Sequence, residues 1–355
     1  MPASESDQPF VPVPVRHRIA APTSAGAPAQ IARDTAGDLR GMGRLAWARL
    51  AFGVFFAINL GFHFSPDYAA RFALDATRAA NAAGQPQWLG AWVAAVLDAM
   101  RGVGMNAALA AMFGLEALLT VSLLTGWGLA VLGWVGLGYE LLLWSTIGGL
   151  GGPYTAGATD PGTAIVYALG FALVLLLRAW DGASWAGPVR RRPTAVRVRL
   201  GFWLFGLLWA FDAWCKWQPG FREQVGTLMA GAQIGQPGWV AGWIGAFAAL
   251  ERAVGAQPFG LLVALAETAI AAGLLLAPWL PAAWTRLALL GGFVYSLLLW
   301  STAEGFGGPY GPGFTGNRGD VLGTAIVYAV LFGFLLAARP WLAETAPRDT
   351  SDAGG

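Results

Sequence analysis

Leu141–Tyr154 reads LLLWSTIGGLGGPY, and Leu297–Tyr310 reads LLLWSTAEGFGGPY. The two stretches agree at 11 of 14 positions. Each is followed by GTAIVYA, at Gly162–Ala168 and again at Gly323–Ala329, identical throughout. Upstream landmarks pair as well: Gln85-Pro86-x-Trp88 with Gln236-Pro237-x-Trp239, Glu116 with Glu267, and Pro66 with Pro219. Self-similarity at one long period marks an internal repeat, which constrains the architecture before any single helix is placed. The chain therefore reads as two copies of one unit, over 45–180 and 199–341. A linker fills 181–198, and tails occupy 1–44 and 342–355.

Composition places the unit in a membrane. Of 355 residues, 56% are hydrophobic and only 12% are charged, with 18 Trp and 20 Phe. A soluble globular chain carries about 25% charged residues, so half that fraction excludes an ordinary soluble enzyme and a disordered scaffold. A formal net charge of +2 offers no broad basic face for phosphates, which excludes a nucleic-acid partner. One cysteine, Cys215, excludes a disulfide framework, a CxxC redox pair, a structural zinc and a cysteine-held iron–sulfur cluster. His17 lies in the polar tail, which leaves His63 without a second haem ligand. No flavin fingerprint occurs either, so no haem, metal or flavin is expected.

A membrane-spanning helix needs roughly 20 predominantly apolar residues. Segments of that kind fall near 45–63, 106–125, 127–146, 163–180, 200–217, 258–277, 284–302 and 322–339. Two shorter segments, 87–102 and 238–254, are amphipathic and carry tryptophans four apart, Trp88 with Trp92 and Trp239 with Trp243. They read as helices lying in the interface with rings at headgroup depth. The expected fold is an all-α polytopic membrane protein of about eight spans, two four-helix transmembrane units plus two interfacial amphipathic helices. An even span count per copy makes the repeats parallel, since an inverted pair requires an odd one.

Residues 1–44 are rich in Pro, Ala, Ser and Asp and read as a disordered tail without a secretory signal. Arg190, Arg191, Arg192, Arg197 and Arg199 crowd the linker, and Arg33, Arg40 and Arg44 precede the first span. By the positive-inside rule both termini and the linker face the cytoplasm of a bacterial inner membrane, and the GGPY loops face outward.

Ionisable side chains at membrane depth cost about 2.5–3.5 kcal/mol each on insertion scales, so those present are functional candidates. Asp212 and Lys216, in WAFDAWCKWQPGF, stand i,i+4 on one helix face and can neutralise each other. Lys216 is the only lysine in the chain. The first copy has Asn59 and His63 at the matching places, a neutral version of the pair. The competing explanation is a buried ion pair that fixes helix register. Glu116 and Glu267 each interrupt an apolar span and suit proton relay or a headgroup hydrogen bond, or else an interhelical hydrogen bond. Glu140 is a further intramembrane carboxyl, with Ser296 opposite it in the second copy. The loops combine Trp144 or Trp300, Ser301, the glycines Gly307 and Gly308, Tyr154 or Tyr310, and Asp160 or Asp320. Such an aromatic and hydroxyl rim suits a quinone headgroup or a small anion held by backbone N–H groups. Its structural alternative is a tight loop that anchors two helices, with each Asp as a cap.

WAFDAWCKWQPGF resembles the opening helix of the DoxX/DoxD family, in which an aromatic span runs into an acidic residue, a lysine and a Gly-Phe turn. GTAIVYALGFALVLLL and GTAIVYAVLFGFLLA are similar to that family's last helix. The resemblance covers roughly 45–341, as a tandem duplication of a unit the family usually carries once. It implies an integral membrane subunit of a quinone-linked oxidoreductase, like the thiosulfate:quinone type, or a quinone-dependent enzyme in its own right. Asp212, Lys216, Glu267 and Glu116 would then handle charge and protons, and the loop residues above would hold the quinone. Membrane lipid, the quinone pool, and a redox partner subunit or a second copy of the chain are the implied partners. The alternative is a non-catalytic assembly or anchoring subunit, or a small-solute permease.

Overall fold

The structure is a computed structural model that describes residues 27–64, 68–155, 159–180, 192–307 and 323–342. Among the described residues all regular structure is helical. The first half holds α1 (Ala27–His63), α2 (Tyr68–Ala80), α3 (Gln87–Val103), α4 (Met105–Thr125), α5 (Leu129–Ser145) and α6 (Thr163–Leu177). The second holds α7 (Ala195–Trp217), α8 (Pro219–Gln233), α9 (Gly238–Val254), α10 (Ala256–Leu276), α11 (Ala282–Ser301) and α12 (Thr324–Ala338). The same succession recurs: α3 and α9 have 17 residues each, α4 and α10 have 21, and α6 and α12 have 15.

Among the described residues six segments are long and apolar enough to cross a membrane: Gly43–His63, α4, α7, α10, α11, and α12 together with the turn that follows it. The expected spans 127–146 and 163–180 fall on α5 and α6, which are apolar but only 17 and 15 residues long. At 1.5 Å per residue neither covers a hydrocarbon core of about 30 Å unaided. The chain is thus a helical, membrane-embedded protein, with six helices of spanning length among the described residues. Its exterior fits that setting, because Trp47, Val131, Trp134, Leu262, Trp284 and Val294 stay exposed.

Two helices lie where the sequence pattern predicts none. Helix α2 buries Tyr68, Phe72 and Ala76, and α8 buries Phe221, Val225 and Met229, one residue per turn. Both are too short and too mixed to stand out by hydropathy, although Pro219 in the first turn of α8 is a usual helix-start mark. Helix α1 starts at Ala27, so the later part of the expected disordered tail is helical. Residues 1–26 of that tail, 181–191 of the linker, and 343–355 lie outside the described residues.

Burial separates central helices from peripheral ones. Of Thr324–Trp341, 72% is buried, against 22% of Ala282–Ser301, so α12 sits inside the bundle and α11 at its edge. Helices α6 and α12 meet at their first residues, where the hydroxyls of Thr163 and Thr324 are 2.6 Å apart. Deeper in, Leu173 of α6 and Leu335 of α12 both close on Gly201 of α7. Contact at two matching depths means that α6 and α12 run in the same direction. Aromatic rings fill the space around them: Phe52 packs against Tyr167, Phe171 and Phe334, and Phe205 against Trp209, Tyr328 and Phe332. Two glycines make room for this layer. A methyl group on Gly136 would fall 2.5 Å from Phe171, and one on Gly292 would fall 2.1 Å from Phe332.

Candidate functional site

Helix α7 buries Asp212 and Lys216 one turn apart. The Lys216 ammonium donates to Oδ1 of Asp212 at 2.7 Å and to the backbone carbonyl of Thr159. It also lies 3.6 Å from Oε2 of Glu267, on α10. The ring of Phe221, at the start of α8, packs on the ammonium with 5.1 Å to its centroid. Glu267 in turn accepts the Tyr295 hydroxyl, from α11, on Oε1 at 3.0 Å. An ammonium has three N–H groups; two donate here, to the Asp212 carboxyl and the Thr159 carbonyl, while Glu267 stands at ion-pair distance. A buried charge that loses such partners is severely destabilising, so these contacts act as one unit.

Around this cluster three buried polar atoms have no hydrogen-bond partner: Trp209 Nε1, Tyr328 Oη and Glu267 Oε2. Trp209 and Tyr328 pack ring on ring, 4.9 Å between centroids, and Trp209 also meets Tyr295 at 6.0 Å. The Tyr328 hydroxyl lies beside the Asp212 carboxyl at the margin of hydrogen bonding, which leaves the Trp209 indole N–H as the donor with no polar partner. Unpaired buried donors are uncommon, because each costs about 1–3 kcal/mol in lost hydration.

Thr159 belongs to the first half, so one half supplies the backbone that covers the other half's ammonium. That loop is pinned in three ways. Asp160 accepts the Gly162 N–H on Oδ1 at 2.8 Å and the Thr159 hydroxyl on Oδ2 at 2.9 Å. The Trp144 indole donates to the Pro161 carbonyl at 2.8 Å. Removing the carboxylate with Asp160→Ala should cost about 0.5–2 kcal/mol locally. Hydrogen–deuterium exchange at residues 159–165 should then speed severalfold, and unchanged exchange would show that the loop is held by other contacts.

The first half carries a second cluster at the matching place. Nδ1 of His63 is 2.7 Å from Oε2 of Glu116, and Tyr139 donates its hydroxyl to Oε1 of the same carboxylate. Tyr68 lies against the His63 ring at 4.3 Å, with Phe113 at 6.0 Å. Burial holds the Tyr68 phenol well above the ordinary tyrosine range, so it stays a neutral wall. Asn59 and His63 are therefore not an isolated neutral pair, since His63 is hydrogen-bonded to a carboxyl. Glu140 is buried on α5, next in sequence to Tyr139.

Of the sequence candidates, the structure joins Asp212, Lys216 and Glu267 and sets Glu116 in the separate cluster with His63. Loop residues make contacts that hold the loops themselves. The indoles of Trp92 and Trp243 donate to the hydroxyls of Ser145 and Ser301, each at 3.2 Å. Trp300 stands edge-on to Phe306 at 5.0 Å, and half-exposed Tyr154 stands edge-on to Trp88 at 6.4 Å. Gly307 closes a short 3-10 turn in which Phe306 has φ +59°, as Leu150 has φ +57° in the first loop. Gly308, Tyr310 and Asp320 lie outside the described residues.

Tyr295, Tyr328, Trp209 and the Thr159 carbonyl escape the sequence reading. Tyr139 and Tyr295 occupy matching places in the aligned copies, and that pairing is the signal available for them. Arg49 also escapes it: the side chain is buried within the first span against Gly126, and Nε and Nη1 have no hydrogen-bond partner.

Fold and site together define a helical membrane-embedded protein with an acid–ammonium–acid cluster enclosed among its helices. No family model, curated protein or solved structure matches the chain.

Proposed function

We propose that this chain is the integral membrane subunit of a quinone-linked oxidoreductase, with its headgroup site at Asp212, Lys216, Glu267, Trp209 and Tyr328. The observation that carries this reading is the unpartnered donor Trp209 Nε1, buried with the Tyr328 hydroxyl beside a charged cluster in an apolar bundle. A quinone supplies a flat apolar body, two carbonyl oxygens that accept hydrogen bonds, and capacity for two electrons and two protons. Trp209 and Tyr328 donate to a carbonyl oxygen. Asp212, Lys216 and Glu267 hold and deliver protons to it, and Tyr295 positions Glu267 for that step. The loop at 159–162 keeps water from the ammonium. Electrons come from a sulfur anion such as thiosulfate, met at the loops that carry Trp144, Tyr154, Trp300, Ser301 and Gly307, or from a redox partner subunit.

The same proposal includes eight membrane passages in two parallel four-helix units, with α5 and α6 crossing where the bilayer is locally thinned. It places both termini in the cytoplasm of a bacterial inner membrane and the GGPY loops outside. The parallel run of α6 and α12, and the hydroxyl contact of the matching residues Thr163 and Thr324, support a pseudo-twofold relation between the halves.

The test is the double variant Trp209→Phe/Tyr328→Phe, which keeps an aromatic ring at each place and the charged cluster and removes the indole N–H and the hydroxyl. The dissociation constant for a short-chain quinone should rise at least about tenfold, as expected when hydrogen bonds of about 1–1.5 kcal/mol are lost. Thermal stability should fall modestly, because Phe fills less of the buried indole's space, so affinity is compared on folded protein at a temperature below both melts. Wild-type quinone affinity in that variant would reject the site.

A further inference from the structure

We infer that Arg49 is the centre of an anion site at the end of the first half where α4 turns into α5, and that this site takes a phosphate group of the kind anionic lipid headgroups carry. The inference makes no use of the quinone assignment.

Arg49 lies in the first third of the Gly43–His63 span and is 1% exposed. A guanidinium stays charged and carries donors only, so the partner it requires depends on neither a tautomer nor a titration. Here that partner is missing. Nε and Nη1 have no hydrogen bond, and no carboxylate among the described residues stands close enough to act on the charge. A buried charge without a counter-charge is strongly disfavoured, so Arg49 calls for an anion from outside the described chain.

The position itself does not require a charge. In the register that pairs Asn59 with Asp212, Arg49 matches Phe202; in the register that pairs Glu116 with Glu267, Gly126 matches Ala277. Phe202 and Ala277 are buried, so the second half fills the same place with hydrocarbon. The first half instead seats a guanidinium on a glycine, where a methyl group would collide with Nη1. Nor is the guanidinium needed to close α4. The Gly126 N–H donates to the Ser122 carbonyl at 2.8 Å, the Ser122 hydroxyl donates to the Trp127 carbonyl, and the Trp127 N–H donates to the Thr125 hydroxyl at 3.2 Å.

The setting selects the anion. Trp47, two residues before Arg49, and Trp127, next to Gly126, are 73% and 66% exposed. Exposed tryptophans on a membrane protein mark headgroup depth, the level at which lipid phosphates lie. The guanidinium is therefore one residue from the lipid-facing surface, and its paired N–H donors match two oxygens of a phosphate.

The experiment titrates the full chain in detergent with phosphatidylglycerol and, separately, phosphatidylcholine, reading the dissociation constants by native mass spectrometry. Arg49→Phe, which copies the second half, should weaken phosphatidylglycerol by about tenfold or more and leave phosphatidylcholine unchanged. Arg49→Met should do the same, so a misfolded phenylalanine variant does not decide the matter. Arg49→Lys keeps the charge without the fork and should lose severalfold. Melts in phosphatidylcholine nanodiscs separate the sources of the phosphate. A rise in melting temperature on adding phosphatidylglycerol, absent from Arg49→Phe and Arg49→Met, supports a lipid headgroup. A rise with inorganic phosphate that both variants lose supports a soluble phosphate at the same site. Unchanged phosphatidylglycerol affinity in folded Arg49→Phe and Arg49→Met, with no rise from inorganic phosphate, overturns the inference and leaves the quinone assignment standing.

Discussion

Lys216→Met should lower folding stability by roughly 3–5 kcal/mol, the usual effect of removing one partner from a buried ion pair. The loss is large because Lys216 faces Asp212 at 2.7 Å and Glu267 at 3.6 Å, and both carboxyls stay buried when it goes. A thermal melt in detergent should show it directly. The informative companion is the charge-free triple variant Lys216→Met/Asp212→Asn/Glu267→Gln. Replacing a whole buried ionic network with neutral groups of similar size is often close to neutral for stability. The triple variant should therefore regain most of the melting temperature while failing to bind a quinone. Quinone affinity at the wild-type level in a well-folded triple variant would assign the cluster to architecture alone. A single Met variant that melts like the wild type would mean that the ammonium is not the partner holding those carboxyls.

Gly292→Ala and Gly291→Ala, neighbours in α11, should change stability in opposite directions. A methyl group on Gly292 meets the Phe332 ring at 2.1 Å, whereas nothing lies within 4 Å of the same position on Gly291. Overpacking a filled core costs about 1–3 kcal/mol. Relieving a helix interior of an unneeded glycine instead contributes about 0.5–1 kcal/mol. Gly136→Ala, opposed by Phe171 at 2.5 Å, should follow Gly292 with a smaller loss. Destabilisation of equal size at Gly291 and Gly292 would show that the glycines matter for helix flexibility rather than as seats for the two rings.

The sequence makes the membrane setting plain, because a run of apolar residues long enough to cross a bilayer has few other uses. It says less about α5 and α6, whose apolar stretches blend into the GGPY loops; their helical parts end at Ser145 and Leu177. Helices α2 and α8 escape notice for a different reason. Each buries one residue per turn beneath a mixed surface, a pattern hard to tell from a polar loop without knowing what packs below. Asp212, Lys216, Glu116 and Glu267 stand out in the sequence because charge inside an apolar run demands a partner. The identity of the partners is tertiary information. Glu267 reaches Lys216 and Tyr295, and Glu116 reaches His63 and Tyr139, through contacts between helices far apart in the chain. The Thr159 carbonyl has no chemical mark at all, since every residue has one.

Thr163 and Thr324, the matching residues of the two GTAIVYA stretches, touch each other. Two separate copies of one gene product, associating through that contact, would carry two identical clusters: both with a lysine or both with a histidine. Tying them into one polypeptide guarantees a single lysine cluster and a single histidine cluster in every molecule, whatever the expression level. The two clusters therefore occur in a fixed one-to-one ratio, each beside the same seam. Asymmetry that a homodimer could reach only by mixing subunits is here written into one reading frame.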